Sequence, residues 1–156
     1  ALVANTPGQA VTPGSMGRPL PGVDACVVHR RDDGSVSVVD DQLGSPTYSY
    51  DLADGLWELV VAGPRDEVCG AVLHATNSGT ATWFDVARGV FEEVGAQPDR
   101  VLPTTTADFP RPAPRPAFSV LSGHSWEAAG LTPLRPWRPA LHAAIAASDA
   151  DPGSLP

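Results

Sequence analysis

The chain has 156 residues and a formal net charge of −8, and its ten basic side chains are all arginine. The lack of lysine excludes a Schiff-base nucleophile, a P-loop GK[ST] signature and any Tyr-x-x-x-Lys pair, while the acidic balance argues against non-specific binding to nucleic acid or anionic lipid, which need a basic surface field. With 42% hydrophobic residues the length suffices for one domain, but 17 prolines, about twice the usual share, mean that much of the chain extends or turns.

Residues 1–34 are rich in turn formers, among them Thr6-Pro7-Gly8, Pro13-Gly14 and Pro21-Gly22, around one apolar run, Asp24 to Arg30, that reads as a strand. Asp32-Asp33-Gly34 turns it into a second, Val36 to Val39, as a hairpin. A helix is predicted from about Tyr50 to Ala62, with Leu52, Leu56, Leu59 and Val60 on one face, Asp51 and Asp54 near its positive end and Gly63-Pro64 as its stop. GAVLHATN at 70–77 reads as a buried strand followed by the turn Asn77-Ser78-Gly79.

A second helix is predicted from about Trp83 to Val94. Thr82 and Asp85 have capping-box spacing, Val86, Ala87, Val90, Phe91 and Val94 form the apolar stripe, and Gly95 terminates it. Arg100 to Thr104 reads as a short strand confined to an edge or terminal position by Pro103. The four prolines between Phe109 and Pro116 forbid a helix there. Two further helices are predicted, at about Ser122 to Ala129 and at about Pro136 to Ala147, the latter burying Trp137, Ala140, Leu141, Ala144 and Ile145, and residues 148–156 read as a disordered tail.

No window approaches about 18 consecutive apolar residues and the first residues carry no leader pattern, so the expectation is a soluble, cytoplasmic protein. Cys26 and Cys69 lie in apolar runs and read as buried free thiols. His29, His74, His124 and His142 are scattered without a partner set, and no metal ligands are assigned. Trp83, Trp126 and Trp137 fall on helix faces and read as core.

Two segments carry chemistry. Val39 to Thr47 is a polar junction between a strand and a helix, where Gln42, Ser45 and Thr47 suit either a hydroxylated ligand or capping of nearby backbone groups. Phe109 to Pro116 holds Arg111 and Arg115 on a stiff backbone, either solvated or placed as bidentate partners of a diphosphate. No G-x-S-x-G elbow supports a Ser-His-Asp triad, and no glycine-rich turn opening a βα unit offers a dinucleotide its pyrophosphate site.

Four motifs in order, VVDDQLGSPTYSYDLA at 38–53, HATNSGTATWFDVARGVFEE at 74–93, PTTTADFPRPAPRPAFSVLS at 103–122 and GLTPLRPWRPAL at 130–141, resemble the carboxyl-terminal, substrate-binding part of the dTDP-4-dehydrorhamnose reductases, members of the extended short-chain dehydrogenase superfamily. The resemblance covers about residues 36–147. It implies an α/β fold, namely an incomplete NAD(P)-binding Rossmann-type reductase reduced to a substrate-binding lobe with short strands and about four helices. It also implies a sugar-nucleotide ligand, a dTDP-sugar, contacted by Gln42, Ser45, Thr47, Arg111, Arg115 and Ser119, with the two arginines facing the diphosphate. The intact family reduces dTDP-4-dehydro-L-rhamnose to dTDP-L-rhamnose with NADPH or NADH. Its glycine turn and its catalytic Thr, Tyr and Lys lie upstream of the matched region, so the resemblance assigns this chain no catalytic residue and no bound cofactor.

Residues 1–34 instead resemble a short stretch of AMP-forming acyl-CoA synthetases, through P-G-S-M-G-R-P-L-P-G at 13–22 and the strand that follows. The organisation expected is therefore a loop-rich segment at 1–34, the reductase-like region at 35–147 and a tail at 148–156, as in a fused or truncated reading frame. Without a large sheet beneath them the helices would leave apolar faces exposed, to be covered by a second copy or by an intact reductase subunit. The competing expectations are a non-catalytic nucleotide-sugar-binding or reductase-interaction module and a nonfunctional remnant.

Overall fold

Val36, Val38 and Val101 are buried together and form the centre of the larger sheet. The computed structural model describes residues 33–63, 66–109, 113 and 115–150, together with three two-residue strands before them. Of those strands, β1 (Val3–Ala4) pairs antiparallel with β2 (Arg18–Pro19), a pairing the sequence did not suggest. The third, β3 (His29–Arg30), pairs antiparallel with β4 (Val36–Val39), in the register His29 to Ser37 and Arg30 to Val36. This is the expected hairpin; residues 24–28 of the longer strand read from the sequence lie outside the described residues.

Next come β5 (Leu43–Gly44), α1 (Ser49–Ala62), β6 (Ala81–Thr82) and α2 (Trp83–Glu93), then β7 (Val101–Thr104), α3 (His124–Ala128) and α4 (Trp137–Ala150). β7 runs parallel to β4, from Val36 opposite Val101 to Val39 opposite Thr104, and closes the sheet order β3-β4-β7. Pro103 therefore sits on an edge strand, as its missing N–H requires. β5 and β6 form a separate antiparallel pair.

Two apolar clusters hold the elements. In the first, α2 lays Phe84, Ala87 and Phe91 over Val36, Val38 and Val101. The stripe read from the sequence is thus rotated: the two aromatics a heptad apart face the sheet, and Val94 is exposed. Gly89 is buried on another side of α2, where a Cβ would stand 2.8 Å from Leu141 Cδ2, so glycine lets α4 approach. In the second cluster Trp126, Ala129, Leu131 and Leu134 are buried against Leu59, Val68, Leu73 and Ala75. Gly55 of α1 faces this cluster, and a Cβ there would lie 3.2 Å from Trp126 and 3.3 Å from Leu134.

Several expectations need correction. Residues 71–77 form no strand; Val72 is exposed, and 66–70 is a turn. An apolar run becomes a strand only where another strand accepts its hydrogen bonds, and none does so here among the described residues. Cys69 lies in that turn and is a free, exposed thiol rather than a buried one; Cys26 is outside the described residues. Of the three tryptophans read as core, Trp126 is buried and Trp83 is exposed. The last helix continues to Ala150, beyond the start of the expected tail.

Candidate functional site

Leu43 joins two segments that lie 39 and 74 residues further along the chain. On one side β5 pairs with β6, Leu43 opposite Thr82 and Gly44 opposite Ala81. On the other side the Leu43 N–H donates to the Ala117 carbonyl at 2.8 Å, the Ser119 N–H donates to the Leu43 carbonyl at 2.8 Å, and Leu43 and Phe118 form a parallel bridge. The Ser119 hydroxyl reaches the same Leu43 carbonyl at 3.2 Å. A Cβ on Gly44 would stand 3.3 Å from Ser119 Oγ, so glycine allows the two strands to close. Two residues on, the Leu121 N–H donates to Ser45 Oγ at 3.2 Å.

This seam brings together part of the predicted set. Ser45 and Ser119 lie on its adjoining edges, and Arg115 is exposed two residues before the anchored Ala117. Thr47 is exposed and its hydroxyl donates to the Ser45 carbonyl at 3.0 Å, which shapes the turn into α1. Gln42 is engaged elsewhere, its Nε2 donating to Thr106 Oγ1 at 2.9 Å. Arg111 lies outside the described residues.

The acidic residues at the head of the motif are occupied by the fold. The Asp41 carboxylate accepts from the Thr106 hydroxyl at 2.6 Å and the Thr106 N–H at 3.0 Å, and these bonds hold it below the usual carboxylate range. Asp108 is likewise lowered, first by the Thr104 hydroxyl and then by the N–H and hydroxyl of Thr105. Asp40 accepts from the Thr82 hydroxyl at 2.8 Å.

Beneath the seam sits a polar hub that the sequence reading missed. Asn77 is 1% exposed. Its Oδ1 accepts from the Tyr48 N–H at 2.7 Å, and its Nδ2 donates to Asp51 Oδ2 at 2.7 Å and to the Arg135 carbonyl at 2.9 Å. The Arg135 guanidinium grips both oxygens of Asp51, with Nε to Oδ2 at 2.8 Å. That pairing, then the Asn77 bond, holds the Asp51 carboxyl below its ordinary value against the opposing effect of burial. The hub fixes where the chain leaves Thr47 and enters α1. Its only sequence signal was a single amide closing an apolar run.

Two hollows flank these residues. One, of about 200 Å³, lies between His74 to Thr80 and the Leu121, Trp126 and Glu127 side; the other, of about 250 Å³, lies between α1 and Thr132 to Arg135. Neither is lined by Gln42, Ser45, Thr47, Arg115 or Ser119, so the candidate contacts form an open seam rather than an enclosed pocket. The amino ends of both long helices near it carry a carboxylate, Asp51 in α1 and the capping-box Asp85 in α2. That is the wrong charge for a dinucleotide pyrophosphate at either of these helix ends. Among the described residues no three His, Cys, Asp or Glu side chains are grouped to hold a metal ion.

Comparison with known proteins adds the family. Residues 23–150 match the model of the RmlD substrate binding domain. A dTDP-4-dehydrorhamnose reductase of Mycobacterium tuberculosis is 55% identical over 129 residues, which is 81% of this chain and 41% of that protein. A Streptomyces antibioticus protein described as a "Probable dTDP-4,6-dihydroxy-2-methyloxan-3-one 4-ketoreductase" is 52% identical over 112 residues, 72% of this chain and 37% of that one. Among solved structures, the dTDP-4-dehydrorhamnose reductase of Bacillus anthracis in complex with NADP superposes with a TM-score of 0.64 at 28% identity, over 72% of this chain and 38% of that one. The chain thus spans about two fifths of the length of the curated relatives it matches.

Proposed function

The chain belongs to the RmlD substrate binding domain family, and from that premise we propose that it is the sugar-nucleotide-binding part of a dTDP-4-dehydrorhamnose reductase, not catalytic by itself. One observation carries the reading: the backbone ladder through Leu43 sets Ser45 beside Ser119, with exposed Arg115 just upstream. In this reading Arg115 and Arg111 take the diphosphate, for which the planar guanidinium is suited. Ser45, Thr47, Ser119 and the carbonyl end of the Gln42 amide meet hydroxyl groups of the ligand.

The reduction catalysed by the intact family draws its hydride from NADPH or NADH, and this reading places that cofactor outside the chain. The carboxylate-capped helix ends and the lysine-free sequence support that placement. The sugar itself is left open by the seam, in keeping with relatives named for different dTDP-sugars. Residues 35–147 are the binding region in this reading, and a cytoplasmic location goes with it. Among the described residues no helix is long and apolar enough to cross a membrane.

Calorimetric titration of the full chain with dTDP-L-rhamnose, with NADPH in a parallel run, tests the proposal. Saturable binding of the sugar nucleotide and none of NADPH is expected. Heat from NADPH alone, or from neither, would overturn it.

A further inference from the structure

The parallel ladder of β4 and β7 ends with Val39 opposite Thr104, and one step on the Asp40 N–H still donates to the Thr104 carbonyl at 2.9 Å. Both strands then leave the sheet side by side, the first into Asp41 and Gln42 and the second into Thr106. These residues follow the carboxyl ends of parallel strands, where α/β sheets take their ligands. Their side chains form a relay: the Thr106 hydroxyl lies 2.6 Å from Asp41 Oδ1, and Gln42 Nε2 lies 2.9 Å from the same hydroxyl.

The order of donors along the relay is forced. Asp41 also accepts from the Thr106 N–H at 3.0 Å, and its carboxyl is held below the usual range, first by the hydroxyl and then by the N–H. It is ionised at neutral pH and can only accept, so the single hydroxyl hydrogen of Thr106 goes to Asp41. The Thr106 oxygen is left with lone pairs alone, and only the NH2 end of Gln42 can meet it. An amide held by its nitrogen turns its oxygen the other way. Gln42 is half-buried and directly precedes Leu43, on which the seam is built. An end group nearly symmetric in shape but not in charge is thus set in one sense beside the candidate ligand contacts.

We propose that Asp41 and Thr106 are positioning residues for Gln42, and that they make its Oε1 a dedicated acceptor for a hydroxyl group of the bound nucleotide sugar. Asp41 acts through Thr106, and Thr106 through Gln42. A ligand with a carbonyl oxygen at that point sets oxygen against oxygen and is disfavoured, so the relay selects a donor. This rests on the sugar-nucleotide reading of the seam. Both the deoxyribose and the terminal sugar of a dTDP-sugar carry hydroxyls, whereas dTDP carries only the first.

Calorimetric titration of the full chain and its variants with dTDP-L-rhamnose, and separately with dTDP, tests the proposal. Thr106→Val removes the hydroxyl but keeps the N–H that Asp41 accepts, which frees the Gln42 amide to turn. Affinity for dTDP-L-rhamnose should fall about tenfold, the scale of one hydrogen bond, and Thr106→Ser should retain it. Asp41 is exposed, and Asp41→Asn reverses the relay: the new NH2 donates to Thr106 Oγ1, whose hydrogen then goes to Gln42 Oε1. The same loss is expected. A loss seen with dTDP-L-rhamnose alone places the hydroxyl on the terminal sugar, and an equal loss with dTDP places it on the deoxyribose. Without ligand, nuclear Overhauser contacts from the Gln42 Nε2 hydrogens to Thr106 Hβ should be present in the parent chain and absent in Asp41→Asn. Unchanged affinity in Thr106→Val, failure of Thr106→Ser to retain it, or a parent chain without those contacts would each overturn the proposal. A parent chain that shows the contacts but binds neither ligand would overturn the sugar-nucleotide reading and the ligand role of Gln42 with it, leaving the relay standing.

Discussion

Asn77 shows how one amide can govern a site it does not touch. Its three hydrogen bonds tie the entry to α1, the Asp51 carboxylate and the Arg135 carbonyl, and removing it leaves three part-buried groups without that partner. Asn77→Ala should therefore lower stability by about 1–3 kcal/mol, the cost of leaving polar groups unpaired away from bulk water, as chemical denaturation would read. Asp51 makes the hub pH-dependent. Its carboxyl titrates below the ordinary 3.8 in the folded chain, so its stabilisation is present above that value and is lost as pH falls through the lower folded one. Asp51→Asn should narrow its stability gap to the parent chain as the medium is acidified below about pH 4. The variant should keep some acid sensitivity, because Asp41 and Asp108 are lowered too. At the seam, Arg115→Ala should weaken dTDP-L-rhamnose binding by about tenfold, near the strength of one charge-assisted contact, without moving the thermal midpoint, since the side chain is exposed.

At the level of elements, local chemistry was largely readable. Thr82 and Asp85 form the capping box that their spacing announced, with the Asp85 N–H on Thr82 Oγ1 at 3.1 Å and the Thr82 N–H on Asp85 Oδ2 at 2.9 Å, and Thr82→Ala should cost about 1 kcal/mol of stability. Thr105 and Asp108 repeat the pattern in a short 3-10 turn, which the same spacing rule could have found. Gly55 was not legible, because what excludes a side chain there is Trp126 and Leu134, more than 70 residues away. Gly55→Val should destabilise by about 1–3 kcal/mol through overpacking, seen as a lower thermal midpoint. The misread strand at 70–77 has the opposite origin. Its composition was read correctly as strand-forming, but whether an edge exists to receive it is a property of the surroundings and not of the run.

For the whole molecule, the order of motifs gave the family, and the family model reaches back to residue 23, into the loop-rich stretch before Gly34. Ser45 was legible because it is polar and set at a strand-to-helix junction, and Arg115 because it stands in a stiff proline-rich run, whereas Ser119 came only with the family resemblance. Their pairing across Leu43 was not, since a contact between residues 43 and 118 leaves no trace in local spacing. The same long-range ladder sets Arg115, Ser119 and Ser45 along one seam that runs toward the start of α1. Amide chemical-shift mapping of the labelled chain during titration with dTDP-L-rhamnose tests that surface most directly. The account predicts saturable shifts clustered at residues 42–47 and 115–121. Shifts confined to the hollow lined by His74 and Glu127, or none at all, would contradict it.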